Sequence, residues 1–423
     1  MNNCLTIKNL KLESSIAEDI TNIDLLTHNI HPYTAKLTPS IPRFLLNRYS
    51  KEDSLVLDPF CGSGTTLLEA KISGRNAVGI DINPLAVLIS DVKTKPLDIT
   101  ELELATNLVK NEIRTMERTI EVSFPNIDYW FSVDARNELA RIRFAIEAIK
   151  PKISEEVYKF LIVCFSSIIK KSSYADTRIP KTCKSTKMIE RIRSGWKPTP
   201  IAYFNAILEK NVHRIASLNN CCKNSYVKVF ERDARKTSEV LLKEELGKAD
   251  LVVTSPPYIN AQDYLRSYKL ELFWLNMVSS EKLTSLKNNI IGTEHLTKTD
   301  YHSVPVSENR LLNSALKKIW QKPRKMNRKK DYIVYNYFEN MREVLGDFQK
   351  VIREDGFFCL IIGNNTICEV AIPTFNILVE LAKNEGFELI EIYRDQIKNR
   401  SLFPNRNHKC GTIREEWIAV FHV

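Results

Sequence analysis

Two short stretches of this chain put chemically distinctive residues in a fixed order. In Thr254-Ser-Pro-Pro-Tyr258, consecutive prolines fix φ and remove two backbone donors. The loop is therefore rigid and rich in carbonyl oxygens, with the Ser255 hydroxyl ahead of Pro256 and Pro257 and the Tyr258 ring after them. Such a loop accepts hydrogen bonds without donating back, and an aromatic ring beside it can stack on a planar base. That suits an exocyclic amine whose lone pair is delocalised into its ring. Drawing on its N–H protons rehybridises the nitrogen and exposes the lone pair to an electrophile. A bare strand terminator would need nothing more than Pro-Pro, but this pair follows an apolar strand and lies downstream of a glycine loop.

That second stretch is Asp58-Pro-Phe-Cys-Gly62-Ser-Gly64-Thr-Thr66. Its glycines let the backbone turn tightly and approach a ligand, and the helix it opens favours a carboxylate or phosphate. Spacing excludes three other glycine loops. No Gly-x-x-x-x-Gly-Lys-Ser/Thr string occurs, the third glycine of a dinucleotide fingerprint is replaced by Leu67, and Gly-x-Ser-x-Gly is absent. An acid closes each neighbouring strand. Asp58 is placed to meet an ammonium group, Asp81 to accept both hydroxyls of a ribose, and Asp233 to accept from an adenine amino group.

The elements that position these residues alternate. Short apolar runs at 55–57, 76–80, 226–230 and 249–253 read as buried strands, and 65–71 as a helix between the first two. Later, 332–351 and 372–384 read as helices, 357–362 as a strand with 363–365 as its turn, and 389–393 and 417–422 as closing strands. Helical signals also mark 41–48, 133–149 and 153–169. The predicted class is α/β: a mostly parallel sheet with helices on both faces, plus a mainly helical insertion. The expected divisions are 1–97 with the cofactor loop, a helical insertion over 98–225, a second, irregular and polar insertion over 259–330, and 226–258 with 331–423 completing the catalytic domain. Ligands of such sheets bind at the carboxyl ends of the strands, where each motif lies.

These residues resemble the DNA amino-methyltransferases, the cytosine-N4 and adenine-N6 enzymes of restriction-modification systems. The glycine loop is similar to that family's cofactor loop and Ser255–Tyr258 to its catalytic loop. His31-Pro-Tyr-Thr-Ala-Lys36 resembles its upstream cofactor segment. The resemblance implies a Rossmann-like fold that binds S-adenosylmethionine and methylates double-stranded DNA by base flipping and direct displacement. It implies cofactor contacts from His31, Tyr33, Thr34 and Lys36, from Asp58, Pro59, Phe60, Cys61 and Gly62, and from Gly64, Thr65 and Thr66. Asp81, Ile82, Asp233 and Ala234 complete that set. Serine at 255 points to cytosine N4, because adenine enzymes of the group more often carry Asp or Asn there. Adenine N6, an RNA amino-methyltransferase and a non-catalytic nucleic-acid-binding protein are the alternatives. The order of segments, with two long insertions, matches no single permutation of the family cleanly. Cytosine-C5 chemistry needs a cysteine nucleophile, usually after proline, and no Pro-Cys dipeptide occurs.

The formal charge of +10 favours a polyanionic partner. Three stretches supply phosphate-contact candidates: Arg178, Lys181, Lys184, Arg191 and Arg193; then Lys322 and Arg324; then Arg394, Arg400 and Arg406. Nine scattered cysteines without a Cys-x-x-Cys pair read as free thiols of a reducing cytoplasm. His28 and His31 lack further ligands, so no metal is expected, and a polar lead-in is the expected home of His28. No apolar run is long enough for a bilayer. No nuclease motif is visible, so any cognate restriction endonuclease would be a separate chain.

Overall fold

The computed structural model describes residues 7–9, 26–115, 118–259, 264–294, 296, 303–323, 329–396 and 415–423. Its centre is an eight-stranded sheet in the order β1-β9-β10-β6-β5-β2-β3-β4. The strands are β1 (Ile7–Asn9), β2 (Leu55–Asp58), β3 (Asn76–Asp81), β4 (Val227–Glu231), β5 (Ala249–Thr254), β6 (Ile352–Ile362), β9 (Glu388–Gln396) and β10 (Glu415–His422). Between β6 and β9 a small antiparallel hairpin is formed by β7 (Asn365–Ile367) and β8 (Val370–Ile372). In the large sheet, β10 runs antiparallel to both β6 and β9, and the other pairings are parallel.

Alternation along the strands fills both faces. Val56, Leu251, Val253, Cys359 and Ile361 face one side and pack with Ile41, Leu45 and Leu67. Leu57, Val252, Phe358, Leu360 and Ile362 face the other, against Val344 and Phe348 of helix Lys330–Val351 and Leu378 of helix Thr374–Asn384. Each such side chain contributes about 1.5–3 kcal/mol when fully buried.

The helical stretch expected over 98–225 holds Ile99–Thr115, Val133–Ile149, Glu155–Ile169 and Pro200–Cys221, with short Ile127–Trp130 and Thr186–Arg193 between them. Ser132, Ser154 and Ser185 cap three of these helices through their hydroxyls. Their core also takes Leu85, Ile89 and Val92 from helix Pro84–Thr94, and Leu270, Leu272 and Trp274 from the second insertion.

Three expectations change. The second insertion is not irregular: Tyr264–Ser267, Lys269–Trp274, Ser280–Asn289 and Arg310–Trp320 are helices. The amphipathic spacing of Leu312, Ala315, Leu316 and Ile319, all buried, explains the last of them. The turn read at 363–365 leads into the β7–β8 hairpin. His28 is not in a polar lead-in: it is buried, 2.8 Å from Glu69 Oε1, and Arg43 Nε donates to Glu69 Oε2 at 2.8 Å. A histidine in water-like surroundings would need no such partner; the carboxylate that satisfies it lies 41 residues away.

Candidate active site

The chain runs from β2 outward to β3 and β4, then returns to β5 on the opposite side of β2. Strand order reverses there, and such a switch point leaves a crevice beyond the carboxyl ends of the two strands. The glycine loop follows β2 and the Ser255 loop follows β5, so topology brings both to this crevice. A pocket with about 740 Å³ of empty space, its open mouth included, is lined by Tyr33, Pro59, Phe60, Gly62, Asp81 and Ile82. Asp233, Ala234, Ser255 and Pro257 complete the wall from the other strand ends. Ala35, Asn83 and the segment Asn289-Ile-Ile291 also line it and were not among the sequence candidates.

Asp81 ends β3 with its carboxylate on the pocket wall. Oδ2 accepts from the Gly62 amide at 3.0 Å and Oδ1 from the Asn83 amide at 2.8 Å. Burial pushes its pKa up to about 6, and these amides oppose that rise. A carboxylate held by backbone donors alone keeps lone pairs for ligand hydroxyls. Asn83 caps the next helix through Leu85 N, with Pro84 at the first helical position. Asn-Pro ahead of an apolar periodic run is a readable N-terminus signal, so this residue was accessible from sequence.

Asp58 ends β2 and is buried, and it is not among the residues that line the pocket. Its Oδ1 accepts from Thr254 Oγ1 at 3.0 Å and from the Phe60 amide at 3.2 Å, joining the ends of β2 and β5. Burial raises its pKa to about 6, with Asp81 adding repulsion. Gly64 opens helix Thr65–Ile72 at φ +75°, and a Cβ there would lie 2.8 Å from Ser90 Oγ and 3.1 Å from the Ser90 Cα. Cys61 is buried behind this loop, its thiol pushed well up by burial, and Thr65 and Thr66 are buried in the first helical turn.

The upstream segment contributes Tyr33 and Ala35, while its other members pin it in place. His31 Nε2 lies 3.0 Å from Ser166 Oγ, and burial holds this imidazole down at about 3. Thr34 bonds the Tyr268 hydroxyl through both its amide and its side chain. Lys36 Nζ donates to the His28 carbonyl and to Asn29 Oδ1, each at 3.0 Å. Tyr33 stacks on Tyr268 with centroids 4.6 Å apart and accepts from Asn83 Nδ2 at 3.3 Å.

At the third acid, Arg235 takes both oxygens of Asp233, Nε at 3.0 Å and Nη2 at 2.5 Å. The same guanidinium donates to Asn340 Oδ1 at 2.8 Å and to the Asn289 carbonyl at 3.1 Å. Asp233 and the Asn289–Ile291 wall are thus locked together. In the Ser255 loop, Ser255 is half-buried on the pocket wall, Pro256 is buried behind it, and the Tyr258 hydroxyl donates to Glu416 Oε1 at 2.9 Å.

The basic candidates divide. Arg178 forks onto Asp176 at 2.9 and 2.7 Å, Lys322 reaches Glu369 at 3.3 Å, and Arg394 is paired with Glu415. Lys181, Arg191 and Arg193 are exposed, and Lys184 lies on aromatic rings. Arg324, Arg400 and Arg406 lie outside the described residues. No described helix is long and apolar enough to cross a membrane.

A chemically consistent set therefore surrounds the pocket: acceptors for ribose hydroxyls, apolar faces of Phe60, Ile82 and Ile290 for a planar ring, and an acceptor-rich loop opposite. These features fit S-adenosylmethionine. Sequence comparison with known proteins agrees. The N6/N4 DNA methylase family matches over residues 9–91, which include the glycine loop and Asp81. The chain is 25% identical over 427 residues to Type II methyltransferase M.MvaI of Kocuria varians, covering 95% of this chain and 90% of that one. It is 25% identical to Type II methyltransferase M.BsoBI of Geobacillus stearothermophilus, covering 86% and 79% of the two chains. Among solved structures, an rRNA methyltransferase from Streptomyces viridochromogenes is 8% identical with a TM-score of 0.33, covering 97% of this chain and 93% of that one. Residues 9–91 thus match the DNA methylase family, and over most of its length the chain is similar to Type II methyltransferases of restriction-modification systems, with S-adenosylmethionine as the methyl donor that fits its pocket.

Proposed function

We propose that the chain methylates the exocyclic N4 of cytosine in duplex DNA, as the modification enzyme beside a separate restriction endonuclease. The observation that carries this reading is the sharing of one pocket wall by Asp81, at the end of β3, and Ser255 with Pro257, at the end of β5. Bound S-adenosylmethionine supplies an electrophilic methyl group. Asp81 would accept from its ribose hydroxyls, and the Asp233 side of the pocket would hold its adenine. A base inside a duplex is out of reach, so the cytosine is turned out of the stack into the pocket. Ser255 Oγ and the Pro256 carbonyl would accept from its amino group and direct the nitrogen lone pair to the methyl carbon; the N–C bond would form as the sulfonium C–S bond breaks, the sulfur keeping the electron pair as a neutral thioether, and the amino proton would leave to solvent. The Tyr258 ring, tethered through its hydroxyl to Glu416, stacks on the base. No nucleophile of the protein is consumed, so the rate comes from positioning and electrostatics.

The test is incubation with unmethylated DNA and donor, followed by mass spectrometry of the digested nucleosides. N4-methylcytosine is expected. N6-methyladenine would overturn the inference from Ser255, and absence of any methylated base would overturn the DNA reading. Ser255→Ala removes one acceptor, and its rate should fall about 10²–10³-fold while donor affinity stays within about twofold. A native rate in this variant would remove Ser255 from the mechanism.

A further inference from the structure

Several basic residues have their charge met inside the protein: Arg178 by Asp176, Lys197 by Asp134, Lys322 by Glu369 and Lys330 by Glu294. A second set is held by aromatic rings instead. Lys184 Nζ lies 3.6 Å from the ring centroid of Tyr129 and 4.9 Å from that of Tyr174. Lys269 Nζ lies 4.4 Å from a Trp130 ring centroid, and the Arg191 guanidinium 4.3 Å from one of Trp196. Among the described residues, no carboxylate pairs with Lys184, Lys269 or Arg191. A ring quadrupole fixes a cation in place without cancelling its charge. The full charge is therefore left for an outside anion.

These cations form a path that begins at the pocket. Tyr33 in the pocket wall stacks on Tyr268, and the next residue, Lys269, reaches Trp130. Trp130 meets Tyr129 edge-on at 4.8 Å, and Tyr129 carries Lys184. The Tyr174 amide donates to the Trp130 carbonyl at 2.7 Å, and Thr182 Oγ1 to the Ser267 carbonyl at 3.0 Å. Both bonds fasten the loop ahead of helix Thr186–Arg193 to the same corner. That helix buries Met188 and exposes Arg191.

We propose that the strip formed by Lys269, Lys184 and Arg191 is the surface on which the sugar–phosphate backbone of the DNA lies as its target base enters the pocket. The proposal rests on the DNA-methyltransferase reading above for its ligand, and on charge complementarity for its place. Duplex DNA offers one negative charge per about 1.7 Å of axis, and the ring-held cations are already ordered to meet it. Lys322 and Lys330, in the other basic run, are already engaged by carboxylates and lie outside this surface.

The experiment is fluorescence anisotropy of the full chain with a labelled mixed-sequence duplex over a range of salt, with donor binding followed by calorimetry. Substituting Lys184→Gln, Lys269→Gln and Arg191→Gln together keeps polar stems on the rings and removes the charges. The slope of log affinity against log salt should fall in magnitude by about three, one per lost phosphate contact. Affinity at low salt should drop at least about tenfold, with donor affinity unchanged. Lys322→Gln with Lys330→Gln should keep the native slope. A native slope in the triple variant, or an equal loss in the double variant, overturns the strip. Native protein that binds DNA but no donor overturns the donor pocket and leaves the strip standing; native protein that binds donor but no DNA overturns the DNA reading and the strip with it, whereas a native slope in the triple variant of a protein that binds both overturns the strip alone.

Discussion

Asp81 works against its own surroundings. Burial raises its pKa to about 6, so between the ordinary aspartate value of 3.8 and about 6 the folded chain keeps a proton that the unfolded chain has lost. Stability therefore falls as pH rises through that window, and at neutral pH the ionised carboxylate costs on the order of 3 kcal/mol. Asp58, buried beside it and raised to about 6 as well, adds to the same trend. An expensive carboxylate held by two backbone amides is the pattern of a group kept for a ligand. Asp81→Asn should raise the melting temperature at pH 7.5 and flatten part of its decline between pH 4 and 6. The same variant should weaken donor binding about tenfold or more, read by calorimetry. Unchanged donor affinity would show that Asp81 meets no ribose.

The strands carrying Asp58, Asp81 and Ser255 were readable in the sequence because each is a short apolar run closed by a polar residue, a local pattern. The wall opposite was not. Asn289–Ile291 belongs to a stretch read as irregular, and the group that fixes it, Arg235, acts across 54 residues to the Asn289 carbonyl and 105 to Asn340. Asp233 was legible as a strand-end acid, but not that Arg235 occupies both its oxygens, since nothing in Arg232-Asp-Ala-Arg235 distinguishes a clamp from a solvated pair. His31, Thr34 and Lys36 were legible as a motif, whereas their contacts come from Ser166, Tyr268 and Asn29. Arg235→Ala leaves Asp233 and the Asn289 carbonyl without their donor and should raise the donor Kd about tenfold. The rate at saturating donor should stay within about twofold, because the Ser255 loop is untouched. Arg235→Lys keeps the charge without the fork and should recover only part of the affinity. Equal loss in affinity and in saturated rate would contradict a purely positioning role.

Helix Pro84–Thr94 serves two parts of the molecule at once. Its cap, Asn83, lines the pocket, while Leu85, Ile89 and Val92 are buried in the core of the helical insertion. Asn211 of the insertion donates to the Ile30 carbonyl at 3.0 Å, next to the segment that places Tyr33. The insertion and the sheet therefore share side chains that neither could leave exposed, and 98–225 should not unfold apart from the rest. Calorimetry should record one transition, and donor should move all of it upward by mass action. Phe165→Ala, at the centre of the insertion core and remote in sequence from every pocket residue, should destabilise the chain by about 3–5 kcal/mol and shift that same transition downward. Two transitions, of which donor moves one and Phe165→Ala the other, would mean that the shared helix does not couple the two cores. The coupling has a functional consequence. On the proposed reading, the strip that holds DNA is joined to the insertion core through Trp130 while the donor lies against the sheet, so the helix they share would set the register between bound DNA and the methyl group. A cavity at Phe165 should then lower the methylation rate at saturating donor and DNA before it measurably alters either affinity.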